Sequence, residues 1–198
     1  MTNARSARSS RALARAPPAP PTLAQWCAAG PFTLALSCSF FGYFAHAGVL
    51  DALLSRGLAP ARVTGASGGA VVAAMYAAGH TPASMLPLFA ELKFGDIFEF
   101  RPRVYWGFPY VGLFRQRLDA LEERMLAAHG LPLRLEDPRC RCPAALSMYD
   151  NEARALRVVR AGRIAAAVAA SASVPGMMHA ADVECDEADA DADAAAGG

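Results

Sequence analysis

One serine in this sequence is surrounded by the small residues that a nucleophilic serine needs. Ser67 is the centre of Gly-Ala-Ser-Gly-Gly at residues 65–69, which has the pattern G-x-S-x-G with Gly65 and Gly69 at its ends. Such a serine lies on a tight turn between a strand and a helix, where the backbone is strained and packs closely against adjacent strands. The first amides of the following helix favour negative charge developing on a substrate oxygen. The pattern predicts attack by Ser67 on an acyl carbonyl.

The elements predicted around Ser67 supply this turn. Residues 62–66 have the character of a short strand, and the small residues 68–78 form a helix that Gly79 closes. Upstream, residues 32–38 are an apolar run typical of a buried strand, and residues 44–56 have apolar positions at helical spacing. This alternation predicts an α/β fold with a mainly parallel sheet.

The rest of the chain is predicted from capping residues, periodicity and turn residues. A loop or irregular segment is expected at residues 94–114, because Gly and Pro interrupt it. A strand at residues 143–149 is expected to pair with residues 153–160 as a hairpin. Helices are expected at residues 82–92, 115–129 and 161–171.

Three segments, in this order along the chain, resemble the patatin-like phospholipase family. They are LALSCSFFGYFAHAGVL at residues 34–50, VTGASGGAVVAAMYAAG at residues 63–79, and ASASVPGMM at residues 170–178. The resemblance implies a three-layer α/β/α sandwich with a mainly parallel sheet. It also implies a serine esterase that cleaves acyl esters of lipids through a Ser-Asp dyad, with Ser67 as the nucleophile and without a metal or cofactor.

The loop expected to hold the oxyanion departs from the family's pattern. The family has G-x-G-x-x-G, whereas residues 38–43 read Cys-Ser-Phe-Phe-Gly-Tyr and keep one glycine. Backbone amides remain available whatever the side chains are, so the resemblance assigns Ser39, Phe40, Gly42 and Gly68 to the oxyanion hole. The rings of Phe40 and Phe41 are then expected to point away from the site.

The acidic member of the dyad has no match to its motif. The family has a strand ending in Asp-Gly-Gly or Asp-Gly-Ala after the Pro-Gly turn, and residues 179–198 contain no Asp-Gly. Asp186, Asp189 and Asp191 lie at about the right distance, but alternating Asp and Ala predicts a solvated, disordered tail. We interpret the sequence as truncated or altered after about Met178, by a missing end or a change of reading frame. The alternative to an active esterase is a catalytically inactive patatin-fold remnant that at most binds lipid.

Two further alternatives use the same serine region. Ser67, Asp150 and His179 occur in the chain order of a Ser-Asp-His triad, although Ser67 follows only the second strand, which is early for an α/β-hydrolase. Residues 64–69 also resemble a dinucleotide loop, but Val71 stands where that loop needs its third glycine.

Aromatic residues concentrate in one segment. Residues 94–114 hold eight of the chain's 17 aromatics, more than one small core easily absorbs. Ordinary core packing and a lipid-facing lid or acyl pocket are both consistent with this enrichment. The second interpretation predicts peripheral membrane contact through residues 94–114.

Composition and charge bound the remaining possibilities. Apolar residues make up 54% of the chain and the net charge is +1, which predicts a folded domain and no nucleic-acid partner. Five irregularly spaced cysteines predict free thiols in a reducing, cytoplasmic compartment and no zinc site. No secretory signal or stretch of about 18 apolar residues is evident. The predicted organisation is a disordered Arg/Pro/Ala-rich N-terminus at residues 1–31, a patatin-like domain at 32–180 and an acidic tail at 181–198.

Overall fold

The computed structural model describes residues 19–104 and 111–183, which form seven α-helices, six strands and one 3₁₀ turn. The helices are α1 Leu23–Ala28, α2 Tyr43–Leu54, α3 Gly68–Ala78, α4 Pro82–Glu91, α5 Phe94–Ile97, α6 Leu118–Met125 and α7 Ile164–Ala172, with a 3₁₀ turn at Ala127–His129. The strands are β1 Thr33–Leu36, β2 Arg62–Ala66, β3 Phe98–Val104, β4 Val111–Gln116, β5 Ala144–Asp150 and β6 Ala155–Val159.

The main sheet has four strands in the order β1-β2-β5-β6. Strands β1, β2 and β5 are parallel, with Leu36 opposite Gly65 and Ala66 opposite Ser147, whereas β6 returns antiparallel to β5. The predicted α/β class with a mainly parallel sheet is therefore confirmed, as is the hairpin of β5 and β6.

Helix α3 lies at the centre of the core. Ten of its 11 residues are buried, because alanine and glycine let the helix approach β2 closely. Larger side chains such as Val72, Met75 and Tyr76 fill the space farther along the helix, each at most 3% exposed. Its first residue, Gly68, follows Ser67 directly, so the candidate nucleophile lies at the end of a rigid, buried element.

The prediction of a loop at residues 94–114 was wrong for the described residues. A short helix, α5, leads into the antiparallel ribbon of β3 and β4. The register of the ribbon shifts between Phe100 and Arg103, around Pro102, which lacks the N–H that a regular ladder uses. Strand β4 also occupies residues 115 and 116, so the helix predicted at 115–129 begins at Leu118.

The N-terminal segment contains one element that the sequence did not predict. Helix α1 begins after a reciprocal cap, in which the N–H of Thr22 donates to Oε1 of Gln25 at 2.8 Å and the N–H of Gln25 donates to Oγ1 of Thr22 at 3.3 Å. Cys27 is the buried residue of this helix and is 6% exposed. Residues 19–31 are therefore not uniformly unstructured. Among the residues described here, no helix has the length and apolar character to cross a membrane.

Candidate active site

Ser67 occupies a strained turn between β2 and α3. Its φ is 53° and its ψ is −120°, values that non-glycine residues adopt rarely. It precedes the first residue of α3, and its carbonyl accepts the N–H of Ala70 at 2.9 Å. The strand, turn and helix expected around the serine are therefore present, and the hydroxyl stands at the N-terminal end of the helix.

The glycines of the pentapeptide are required by close packing. A β-carbon on Gly65 would lie 2.4 Å from the carbonyl oxygen of Gly69, and one on Gly69 would lie 2.2 Å from that of Leu36 in β1. A β-carbon on Gly68 would lie 2.6 Å from Oγ of Ser39. Since real β-carbons do not approach main-chain atoms this closely, Gly65 and Gly69 cannot carry side chains in this turn. At Gly68 the nearest atom is a side-chain hydroxyl, which can shift.

A second serine holds the backbone of the turn from the opposite side. The N–H of Ser67 donates to Oγ of Ser171 at 2.9 Å, and that hydroxyl donates to the carbonyl oxygen of Ser147 at 2.6 Å. Ser171 belongs to α7 and Ser147 to β5. One hydroxyl therefore connects the turn, the neighbouring parallel strand and the end of a helix.

The loop after β1 is fixed by contacts of its own. Nε2 of His46, on α2, lies 2.9 Å from the carbonyl oxygen of Ser37. The N–H of Gly42 donates to the carbonyl oxygen of Ser39 at 2.5 Å and closes a turn. Phe40, at the tip of this turn, has φ of 45°. A bulky residue therefore holds a conformation that favours glycine, at a position where the related family has glycine.

The residues of two expected oxyanion donors, Phe40 and Gly68, pack against each other at the turn. A β-carbon on Gly68 would lie 3.1 Å from the carbonyl oxygen of Phe40 and 3.8 Å from its backbone nitrogen. The N–H groups of Phe40 and Gly68 donate to no other residue that the structure describes. Ser39 contacts Gly68 through its side chain, and its Oγ is buried without a hydrogen-bond partner in the described part of the chain. The N–H of Gly42 is engaged by Ser39, so we remove Gly42 from the set of candidate donors.

Ser67 borders an apolar cavity of about 200 Å³. Helix α7 forms one wall through Val168 and Ala172, and helix α6 contributes Met125. Aromatic residues contribute much of the remaining lining, namely Phe40, Phe41, Tyr43, Phe89, Phe94 and Phe98. A cavity of this character fits an acyl chain better than a polar substrate.

The rings of Phe40 and Phe41 border the cavity, contrary to the expectation that they point away. They are 57% and 67% exposed, and their centroids are 4.7 Å apart in an edge-to-face arrangement. Both residues therefore lie at the cavity beside Ser67.

The described residues do not place a carboxylate on the hydroxyl of Ser67. Asp186, Asp189 and Asp191 lie outside the described residues. Glu122 lines the cavity, but its two carboxylate oxygens accept hydrogen bonds from Arg163 at 2.9 Å and 3.1 Å. This pairing raises the pKa of Arg163 and commits the Glu122 carboxylate to a cation. Within the described ranges no cluster of His, Cys, Asp and Glu is suited to hold a metal ion.

The alternative triad is not assembled by the contacts of its members. Oδ1 of Asp150 accepts the N–H groups of Glu152 and Ala153, each at 2.9 Å, and Oδ2 accepts Nε of Arg157 at 3.1 Å. The N–H of Ala153 is the main cause of the lowered pKa of Asp150, which is the carboxylate of a hairpin turn.

His179 is likewise committed elsewhere. Its Nε2 lies 2.6 Å from the carbonyl oxygen of Arg101, and it lines a second, polar cavity rather than the one that Ser67 borders. The Ser67–Asp150–His179 alternative therefore lacks support in this geometry.

Sequence reasoning missed the roles of Ser171 and Gln116. Nε2 of Gln116, at the end of β4, donates to the carbonyl oxygen of Ala169 and to Oγ of Ser173, each at 3.0 Å, and so fixes the end of α7. The segment at residues 170–178 was recognised as a resemblance, and Ser171 was visible within it. Nothing local in the sequence, however, assigns these side chains a partner.

Comparison with family models identifies the kind of domain that this chain contains. The model of the family described as patatin-like phospholipase matches residues 34–193, which includes the turn at Ser67 and the three candidate aspartates. No curated protein matches the chain.

Proposed function

Because the chain belongs to the patatin-like phospholipase family, whose members are lipid acyl hydrolases, we propose that it cleaves acyl esters of lipids with Ser67 as the nucleophile. The observation that carries this proposal is the position of Ser67, on a strained turn that borders an apolar cavity of about 200 Å³. A nucleophilic hydroxyl and an apolar acyl site are the two features that hydrolysis of a lipid ester requires.

The proposed reaction begins with attack of Oγ of Ser67 on the ester carbonyl carbon. The carbonyl oxygen gains negative charge, which the N–H groups of Phe40 and Gly68 are proposed to stabilise. The amide dipoles of α3 act in the same direction, since its N-terminus is at the serine. The base that takes the proton of Ser67 returns it to the departing oxygen, so that the alcohol leaves. The same base then takes a proton from water, whose oxygen attacks the acyl-serine and releases the acid.

A carboxylate is proposed to take the proton of Ser67 directly, without a histidine. The family match extends through Asp186, Asp189 and Asp191, and these remain the candidates for the dyad. Replacing each aspartate in turn by asparagine shows which of the three, if any, is the base. A loss of turnover on changing one of the three identifies the base, whereas retention in all three removes them from the mechanism.

The inactive remnant is the second candidate. It is favoured by one observation, that the hydroxyl of Ser67 has no hydrogen-bonded base among the residues described. A serine without a positioned base is a poor nucleophile at neutral pH. In this case the cavity would bind an acyl chain without cleaving it.

We place the protein in the cytoplasm, at the surface of a membrane. Cys27, Cys38, Cys140 and Cys142 are unpaired, which supports a reducing compartment. The ribbon of β3 and β4 carries the exposed side chains of Phe100 and Val104, 68% and 58% exposed, among arginines. Aromatic and basic residues side by side are typical of contact with the lipid interface.

Labelling with a fluorophosphonate tests the proposed function. The wild-type chain should be labelled at Ser67 and should hydrolyse p-nitrophenyl butyrate, whereas Ser67→Ala should do neither. Ser55→Ala is the control, because Ser55 is an exposed residue at the end of α2. Equal labelling of wild type and Ser67→Ala would exclude Ser67 as the nucleophile. A wild-type chain that is neither labelled nor active, yet binds a fatty acid, would establish the remnant.

A further inference from the structure

The hydroxyl of Ser171 hydrogen-bonds the main chain of Ser67, and the reaction proposed above gives it no role. It lies at the C-terminal end of α7, accepts the N–H of Ser67 at 2.9 Å and donates to the carbonyl oxygen of Ser147 at 2.6 Å. Its proton and one of its two lone pairs are therefore engaged. Among the described residues, Ser171 is the residue whose side chain hydrogen-bonds the main-chain N–H of Ser67.

The two bonds hold the turn where the sheet alone would not. Strand β2 pairs with β5 up to Ala66, which is opposite Ser147, so regular pairing ends one residue before the nucleophile. The hydroxyl of Ser171 takes the place of the next ladder bond, since it joins the N–H of Ser67 to a carbonyl of β5. A side chain thus extends the sheet to the residue whose backbone is strained.

We infer that Ser171 is a positioning residue, which holds the main chain of Ser67 so that its hydroxyl stands at the cavity and the oxyanion donors. Without the bond, the N–H of Ser67 has no other partner among the described residues, and Ser67 can relax from φ of 53°. The inference also reduces the set of candidate oxyanion donors. The N–H of Ser67 donates to Ser171 and therefore does not act as an oxyanion donor. As a statement about catalysis, it rests on the proposed function.

Ser173 provides a matched comparison. It lies two residues farther on and is partly buried like Ser171, and its hydroxyl also bonds backbone carbonyls, that of Ala169 at 2.8 Å and that of His179 at 3.0 Å. It also accepts Nε2 of Gln116, and none of its hydrogen bonds within the described ranges reaches the turn at Ser67. Replacement of either serine by alanine removes a hydroxyl from the same end of α7. Only the replacement of Ser171 should alter the backbone of Ser67.

The experiment measures hydrogen exchange of the Ser67 amide by NMR in the full chain, together with kcat and KM for p-nitrophenyl butyrate. In Ser171→Ala the amide should exchange at least tenfold faster. In addition, kcat should fall about fivefold, the size of one hydrogen bond, while KM stays within twofold. Ser171→Thr, which keeps a hydroxyl, should restore both values, and Ser173→Ala should leave both near those of wild type.

Three outcomes decide the inference. Unchanged exchange in Ser171→Ala, or an equal increase in Ser173→Ala, would overturn it whether or not the chain is active. Faster exchange with kcat no lower than that of Ser173→Ala would overturn the positioning role. Faster exchange confined to Ser171→Ala, in a wild-type chain without turnover or fluorophosphonate labelling, would retain the bond to Ser67 and reject the proposed function instead.

Discussion

The main chain of Phe40 lies directly against Gly68, such that a β-carbon on Gly68 would be 3.1 Å from the carbonyl oxygen of Phe40. This contact brings the loop after β1 to the start of α3, and it depends on a φ of 45° at Phe40. The conformation costs a residue with a side chain about 1–2 kcal/mol. Phe40 therefore has a backbone conformation that favours glycine, although its side chain is an aromatic ring.

Replacing Phe40 by glycine should release this strain. We expect Phe40→Gly to leave the free energy of unfolding unchanged or to raise it by up to about 1 kcal/mol, after the entropy that glycine adds to the unfolded chain. Phe41→Gly is the control, because Phe41 is similarly exposed but has a negative φ. It should destabilise by about 0.5–1 kcal/mol. Urea unfolding of both variants measures the difference, and an equal loss in the two would show that Phe40 is unstrained.

Adding a methyl group at Gly69 should disrupt the turn, because the new β-carbon would meet the carbonyl of Leu36. We expect Gly69→Ala to lower the free energy of unfolding by about 2 kcal/mol or more. Gly48→Ala, on the exposed side of α2, meets nothing within 4 Å and should stabilise by about 0.5–1 kcal/mol through helix propensity. Thermal unfolding of the pair tests this, and similar melting temperatures would contradict the packing argument.

Ester hydrolysis should not depend on His179. Its ring bonds the carbonyl of Arg101 at 2.6 Å and borders a cavity that Ser67 does not line. We expect His179→Ala to retain kcat within a few-fold, with a loss of stability from the buried site. Changing the orienting aspartate of a true triad lowers kcat by about 10⁴-fold. A loss of that size in a variant that remains folded would restore the triad.

Stability should fall on mild acidification because of His80. Burial lowers the pKa of His80, whose ring is held between the carbonyl of Met125 at 2.6 Å and Oγ of Ser84 at 2.9 Å, with His129 and Arg141 nearby. The folded state thus favours the neutral ring.

This contribution is complete above the pKa of the unfolded chain, near 6.5, and is lost as the pH falls through the lower pKa of the folded state. Melting temperatures between pH 8 and pH 5 should decline less steeply in His80→Gln than in wild type. Parallel curves would exclude His80 as the source.

Vesicle binding should depend on the ribbon of β3 and β4. Phe100→Glu should reduce co-sedimentation with phosphatidylglycerol vesicles, because it places a charge where an apolar side chain would enter the interface. Leu156→Glu is matched to it, since Leu156 on β6 is 66% exposed and Phe100 is 68% exposed. Equal effects of the two changes would place the contact elsewhere on the molecule.

The strand, turn and helix around Ser67 could be predicted because their signals in the sequence are local. Residues 62–66 and 68–78 have the lengths found in the structure. The conformation of Phe40 could not be predicted from its own residue type, although the family's pattern has glycine at this position.

Elements that depend on distant partners were missed. The ribbon of β3 and β4 is held by pairs across the strands, such as Phe100 and Phe114 with ring centroids 5.6 Å apart, which local composition does not reveal. The bond between Ser67 and Ser171 joins residues 104 positions apart. The donor is a backbone N–H, a group that nearly every residue has, so the residue types do not indicate this bond.

The glycines around Ser67 have a consequence for how G-x-S-x-G patterns are used to recognise enzymes. Gly65 and Gly69 are excluded from carrying side chains by the main chains they touch, and neither contact involves a substrate. A descendant that had lost hydrolysis but kept its fold would remain under selection for both glycines. The hydroxyl of Ser67 would be released from that selection, together with the other groups that serve only the reaction. The two glycines thus indicate the fold, whereas the proposed reaction also requires the hydroxyl of Ser67, the oxyanion donors and a base.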